Sequence, residues 1–96
     1  MFYMQSDKGN FLVATYFKVA IDEINNGVSN KLVWQNFVER MNTLSKTFPE
    51  AMDDNVVHEV YEQLCHSSTF HMDLDAAMDV VDDYHAVNYA SLCMEA

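Results

Sequence analysis

The sequence predicts an all-α protein, a compact antiparallel bundle of three to four helices, and three observations lead there. Apolar residues recur at three-and-four spacing through most of the 96 residues. Two Gly and one Pro leave little material for the many turns of a β fold. The connections between periodic stretches are short, which makes successive helices antiparallel neighbours. Half the residues are apolar and 12% aromatic, so the chain has the material for a core and is not a disordered acidic tail. The length suits one domain, residues 1–96, that closes its core without staples.

The first helix is read in "NFLVATYFKVAIDEINNG", where Val13, Phe17, Ala20, Ile21 and Ile24 share a face and Asn26-Gly27 makes a stop. Leu12, Tyr16 and Val19 form a second apolar line. Only Thr15, Lys18, Asp22 and Asn25 remain as a polar wedge, the pattern of a helix central to a core or buried in an oligomer. A minor alternative is an N-terminal β-hairpin, "MFYMQ" and "FLVATYF" around the turn-forming "SDKGN". The second helix, "SNKLVWQNFVERMNTLSKTF", takes Ser29 or Asn30 as its N-cap and buries Val33, Trp34, Phe37, Val38, Met41 and Leu44. It ends at Phe48-Pro49, because the residue before Pro is pushed out of helical geometry. "PEAMDD" is a short turn.

The third helix, "DNVVHEVYEQLCH", is capped by Asp53, Asp54 or Asn55 and turns Val56, Val57, Val60, Tyr61, Leu64 and Cys65 inward. "SSTFH" is a loop. Asp73 caps a fourth helix, with Met72 placed to pack on Ala77 as a hydrophobic staple. Its inner line is Leu74, Ala77, Met78, Val81, His85 and Leu92.

Charge divides the chain in two. Residues 1–49 carry four acids and five bases, a near-neutral half with a net charge of +1. Residues 50–96 carry eleven acids and no Lys or Arg, a net of −11, together with all four His. Asymmetry of this kind marks an interaction surface. Its densest stretch is "DLDAAMDVVDDYH". At 100° per residue Asp75, Asp79 and Asp82 fall in one stripe with Asp83 at its edge, members lying ~4.5–6 Å apart along the axis. Phosphates along a DNA strand recur at a similar interval, roughly 6–7 Å. Like charges at i,i+4 cost roughly 0.2–0.5 kcal/mol per pair in an isolated helix. The macrodipole favours Asp73 and Asp75 near the helix start but does not account for Asp79, Asp82 and Asp83. The bland alternative is a solvated face.

Other chemistries fit less well. An EF-hand loop counted from Asp73 would need an oxygen ligand at Ala77, Gly at Met78 and a bidentate acid at Tyr84. His58, Glu62 and His66 share a helix side beside Cys65, but a zinc site needs three or four converging ligands, with His71 or His85 completing the set. Neither a metal nor another cofactor is expected. Cys65 and His66 point ~100° apart and cannot form a nucleophile–base pair; no phosphate loop or serine elbow occurs, so no catalytic residue is assigned. Direct nucleic-acid binding is opposed by the scattered Lys8, Lys18, Lys31, Arg40 and Lys46. The N-terminus does not read as a signal peptide, and "FLVATYF" is far short of a membrane span, so a cytoplasmic protein with reduced Cys65 and Cys93 is expected.

In size and charge the chain is similar in type to the small acidic inhibitors that phages, plasmids and toxin-immunity systems direct against nucleic-acid enzymes, with no residue-level correspondence. The expected function is therefore a non-enzymatic inhibitor of anti-CRISPR, anti-restriction or nuclease-immunity kind. Its partner is a basic nucleic-acid-binding protein or nuclease complex, met by Asp53, Asp54, Glu59, Glu62, Asp73, Asp75, Asp79, Asp82 and Asp83 as phosphate substitutes. The alternative is a structural or adaptor bundle that self-associates, for instance as a homodimer, with acidity serving only solubility. Seven Met and the aromatics Phe2, Tyr3, Phe70 and Tyr89 would be core or core-edge residues, or an adaptable contact patch.

Overall fold

The computed structural model describes Met4 and residues 6–95, with the backbone alone for 86–95. Four α-helices, α1 (Asp7–Asn25), α2 (Asn30–Leu44), α3 (Asp54–Ser67) and α4 (Leu74–Glu95), are joined by short connections, one of which holds the 3-10 turn Pro49–Met52. There is no strand among the described residues, so the protein is an all-α bundle and the hairpin does not form. Of the aromatics considered for a contact patch, Phe2 and Tyr3 lie outside the described residues, as do the side chains of Tyr89, Leu92 and Cys93.

"SDKGN", the turn of the minor hairpin alternative, is the opening of α1. Ser6 caps the helix, its hydroxyl accepting from the Gly9 N–H at 3.3 Å, and Asp7 sits favourably in the first turn. The Asn10 side chain both accepts from the Met4 N–H and donates to the Met4 carbonyl. The stop is where Asn26-Gly27 puts it. Gly27 adopts φ 84°, its N–H reaches the Ile24 carbonyl and the Val28 N–H reaches the Glu23 carbonyl, a Schellman closure. Ser29 then caps α2, accepting from the Leu32 N–H.

The helix α2 ends at Leu44, four residues before the expected Phe48. Ser45, Lys46 and Thr47 have no apolar surface to bury, and the chain unwinds through i→i−3 bonds such as Lys46 N to Thr43 O. The proline restriction reaches Phe48 alone, which is extended at φ −123° and ψ 87°.

The core is built on the α2 stripe. Val33, Trp34, Phe37, Val38 and Met41 are fully buried, against Val13 and Ala20 of α1, Val57, Val60 and Leu64 of α3, and Ala77 and Val81 of α4. Trp34 is the hub. Its indole lies 5.8 Å from the rings of Phe37 and Tyr61 and 6.2 Å from Phe70, and its Nε1–H donates to the Ala77 carbonyl at 2.9 Å. Phe70, in the loop before α4, is completely buried, which places it in the core rather than on a contact patch. No helix among the described residues is long and apolar enough to cross a membrane.

Candidate functional site

The acidic residues are carried by α3, α4 and their approaches, so what fixes those elements fixes the face. Three tethers set the start of α4. The Asn30 side-chain amide donates to the His71 carbonyl, the Tyr61 hydroxyl donates to the Met72 carbonyl, and the Ser68 hydroxyl bridges the Leu64 carbonyl and the Phe70 N–H. Asp73 then accepts the first helical bond, from the Ala77 N–H at 2.9 Å. With Phe70 driven into the core, the following residues emerge at the surface.

Two positions expected on the inner line of α4 turn out of it. Leu74 is 38% exposed, because the first turn projects beyond the point where Trp34 grips Ala77. His85 is exposed because Tyr84, three residues after Val81, takes the inward place. The His85 imidazole Nε2 instead lies 3.6 Å from the Asp54 Oδ1 at the start of α3.

That contact and the surroundings of Tyr61 show how α3 and α4 align. Burial pushes the Tyr61 phenol above its ordinary value, the neighbouring Cys65 adds to the shift, and the charges of Asp73 and Glu62 raise it further. Asp54, at the start of α3, therefore adjoins the middle of α4, and Glu62, late in α3, shares the surroundings of Tyr61 with Asp73. The helices are antiparallel, with Asp54 and Glu62 of α3 lying toward α4. Of the nine residues expected to meet a partner, Asp53, Asp54, Glu62, Asp73, Asp75, Asp79, Asp82 and Asp83 are exposed and Glu59 is half-buried. Asp82 lies one turn before His85. Asp75, Asp79, Asp83 and Glu59 make no ion pair with a described residue; Glu62 lies 3.6 Å from His58. Asp53 precedes α3 as its N-cap but makes no side-chain cap hydrogen bond, leaving its carboxylate to solvent.

No three His, Cys, Asp or Glu side chains converge as metal ligands among the described residues. His58 and Glu62 approach each other on α3, without His71 or His85 joining them. Cys65 is a half-buried free thiol on the inner side of α3.

A second feature, not foreseen from the sequence, lies on the seam of α1 and α2. A cleft of about 340 Å³ is lined by Tyr16, Asn36, Glu39, Arg40 and Thr43. Behind it Glu23 pairs with Arg40 at 3.5 Å and accepts from the Asn36 amide at 3.1 Å. The only sequence signal for this cleft was polar spacing: Asn36, Arg40 and Thr43 recur along one side of α2. Comparison with protein-family models, with curated proteins and with solved structures found no match for the chain.

Proposed function

We propose that this chain is a non-catalytic acidic binding protein whose α3–α4 face covers a basic, nucleic-acid-binding surface on a partner, its carboxylates taking the place of phosphates. The observation that carries this reading is the accessibility of these carboxylates combined with the absence of Lys and Arg from the segment that carries them. Eight of the nine are exposed, and no Lys or Arg follows Lys46 in the chain. The basic groups beside them are imidazoles, His85 at Asp54 and His58 at Glu62. A solvated face normally mixes both signs, which relieves repulsion along a helix and costs nothing in solubility. A face that forgoes this is matched to a cationic surface, where complementarity speeds association and selects the partner.

Inhibition of a restriction or CRISPR nuclease, or immunity to a nuclease toxin, is the form this function takes. The test is capture on the immobilised protein from host lysate, followed by elution with a salt gradient or with added duplex DNA. A nucleic-acid-binding protein that is released by DNA, released by salt, and not captured by the Asp75→Asn, Asp79→Asn, Asp82→Asn triple variant supports the proposal. Retention by the triple variant at low and high salt alike rules it out.

A further inference from the structure

The α1–α2 cleft has a charge arrangement that the acidic face does not explain. Five side chains line it, two of them charged, Glu39 and Arg40. Arg40 has a counter-ion of its own, since its Nη1 faces the Glu23 Oε1 at 3.5 Å, an ion pair without a hydrogen bond between two atoms that have no accessible surface. The pair sits in the wall with its other Glu23 oxygen held by the Asn36 amide. This leaves Glu39, which is exposed, as the unmatched charge of the cleft.

Acceptor oxygens are available in the cleft as well, beside the remaining N–H donors of Arg40. The Asn36 Nδ2 is used on Glu23, which leaves its Oδ1 as an acceptor. The Thr43 hydroxyl donates to the Glu39 carbonyl at 3.2 Å, which leaves the Oγ1 lone pairs as acceptors. Tyr16 supplies an aromatic wall, the surface on which an organic cation is attracted by the ring. We propose that this cleft binds a guanidinium or primary ammonium group, with Glu39 as its counter-ion, the Asn36 and Thr43 side-chain oxygens as acceptors and the Tyr16 ring as one wall. Its volume lies near the lower end for ligand clefts, room for such a head group and a short methylene chain.

A second observation puts the Glu39 charge within reach of Tyr84. The phenol of Tyr84, reaching over from α4, is pushed above its ordinary value first by burial and then by the charge of Glu39. A cation seated at Glu39 would cancel part of that field. The site thus has a reporter of its own.

The experiment titrates the full chain at fixed ionic strength with butylguanidinium, with its neutral isostere butylurea, and with a capped Ala-Arg-Ala tripeptide. Amide shifts of Asn36, Glu39 and Thr43 follow binding, and the alkaline NMR titration of the assigned Tyr84 ring, resolved from the other four Tyr, reports charge. Saturable one-site binding of butylguanidinium is expected, in the millimolar range usual for so small a ligand. Butylurea and the Glu39→Gln variant should each bind about tenfold more weakly or worse, and Thr43→Val should weaken binding without altering the fold. The Tyr84 titration should move back toward its ordinary value on saturation in the native chain and not in Glu39→Gln.

The Asp75→Asn, Asp79→Asn, Asp82→Asn triple variant should bind the ligand unchanged, which separates this site from the α3–α4 face. Binding that is equal in Glu39→Gln, or that is lost in the triple variant instead, overturns the proposal, as does the absence of saturable binding. Tripeptide binding as tight as that of butylguanidinium identifies a partner's basic side chain as the source of the group. Exclusion of the tripeptide identifies a free small amine.

Discussion

Tyr61 shows how one side chain serves several ends. Its ring packs edge-on against Trp34 and Phe70, and its hydroxyl holds the Met72 carbonyl ahead of α4. Because its phenol is raised, ionising it costs more in the folded chain than in the unfolded one. The stability that depends on the neutral phenol is complete below the ordinary tyrosine value, near 10, and is lost as pH rises through the folded value. Tyr84 shifts the same way. Tyr61→Phe should therefore lose about 1 kcal/mol at pH 7, through the missing hydrogen bond, and decline less steeply above about pH 10. Urea unfolding at the two pH values measures both effects, and an unchanged alkaline slope would show that Tyr61 is not the group responsible. Trp34→Phe removes the Nε1–H bond to Ala77 and part of a fully buried ring. A loss of roughly 2–4 kcal/mol is expected, read by the same unfolding curves.

At the scale of elements, the helices were legible because burial imposes its period on the sequence. The α2 stripe from Val33 to Leu44 and the α3 stripe of Val56, Val57, Val60 and Leu64 are buried as their spacing requires. The hairpin stayed open as a minor alternative because of chemistry that two structures share. "SDKGN" suits a turn and equally suits a helix start, and the choice falls to the helix once Ser6 can cap it and Asn10 can pair with Met4. The end of α2 was overrun because Ser45–Thr47 are permissive, whereas the stop of α1 was marked by a glycine. That glycine is testable. Gly27→Ala meets no atom within 4 Å, so its effect isolates the strain of φ 84°. A loss of about 1 kcal/mol is expected by thermal unfolding, and an unchanged midpoint would contradict the Schellman closure. The acidic face was visible in the sequence as a one-helix stripe; the approach of Asp54 to His85 was not, since it depends on how α3 and α4 pair. Of the α1–α2 cleft only the polar spacing on α2 was visible, for the same reason, its lining being divided between two helices whose relative register the spacing does not contain.

At the scale of the whole molecule, the distribution of charge separates stability from recognition. The core is apolar, the facing Glu23 Oε1 and Arg40 Nη1 are buried atoms of partly exposed side chains, and the described carboxylates of α4 are exposed. Changing Asp75, Asp79 and Asp82 together to Asn nearly keeps side-chain shape and removes three negative charges. Relief of i,i+4 repulsion should leave the melting temperature the same or slightly higher, by roughly 0.2–0.5 kcal/mol per relieved pair at most. If these carboxylates meet buried cationic groups of a partner, affinity should fall by roughly 2–5 kcal/mol, and the remaining binding should depend less steeply on salt. The corresponding triple change to Lys should abolish binding by direct repulsion while still folding. A melting temperature retained with binding lost assigns the stripe to recognition. Binding retained in the Asn variant at low and high salt alike returns Asp75, Asp79 and Asp82 to the role of solvated charge, and an interface that ignores salt is then apolar in character, as in a self-associating bundle. Sedimentation of the free protein across a hundredfold concentration range distinguishes that outcome, because mass action should then populate a dimer.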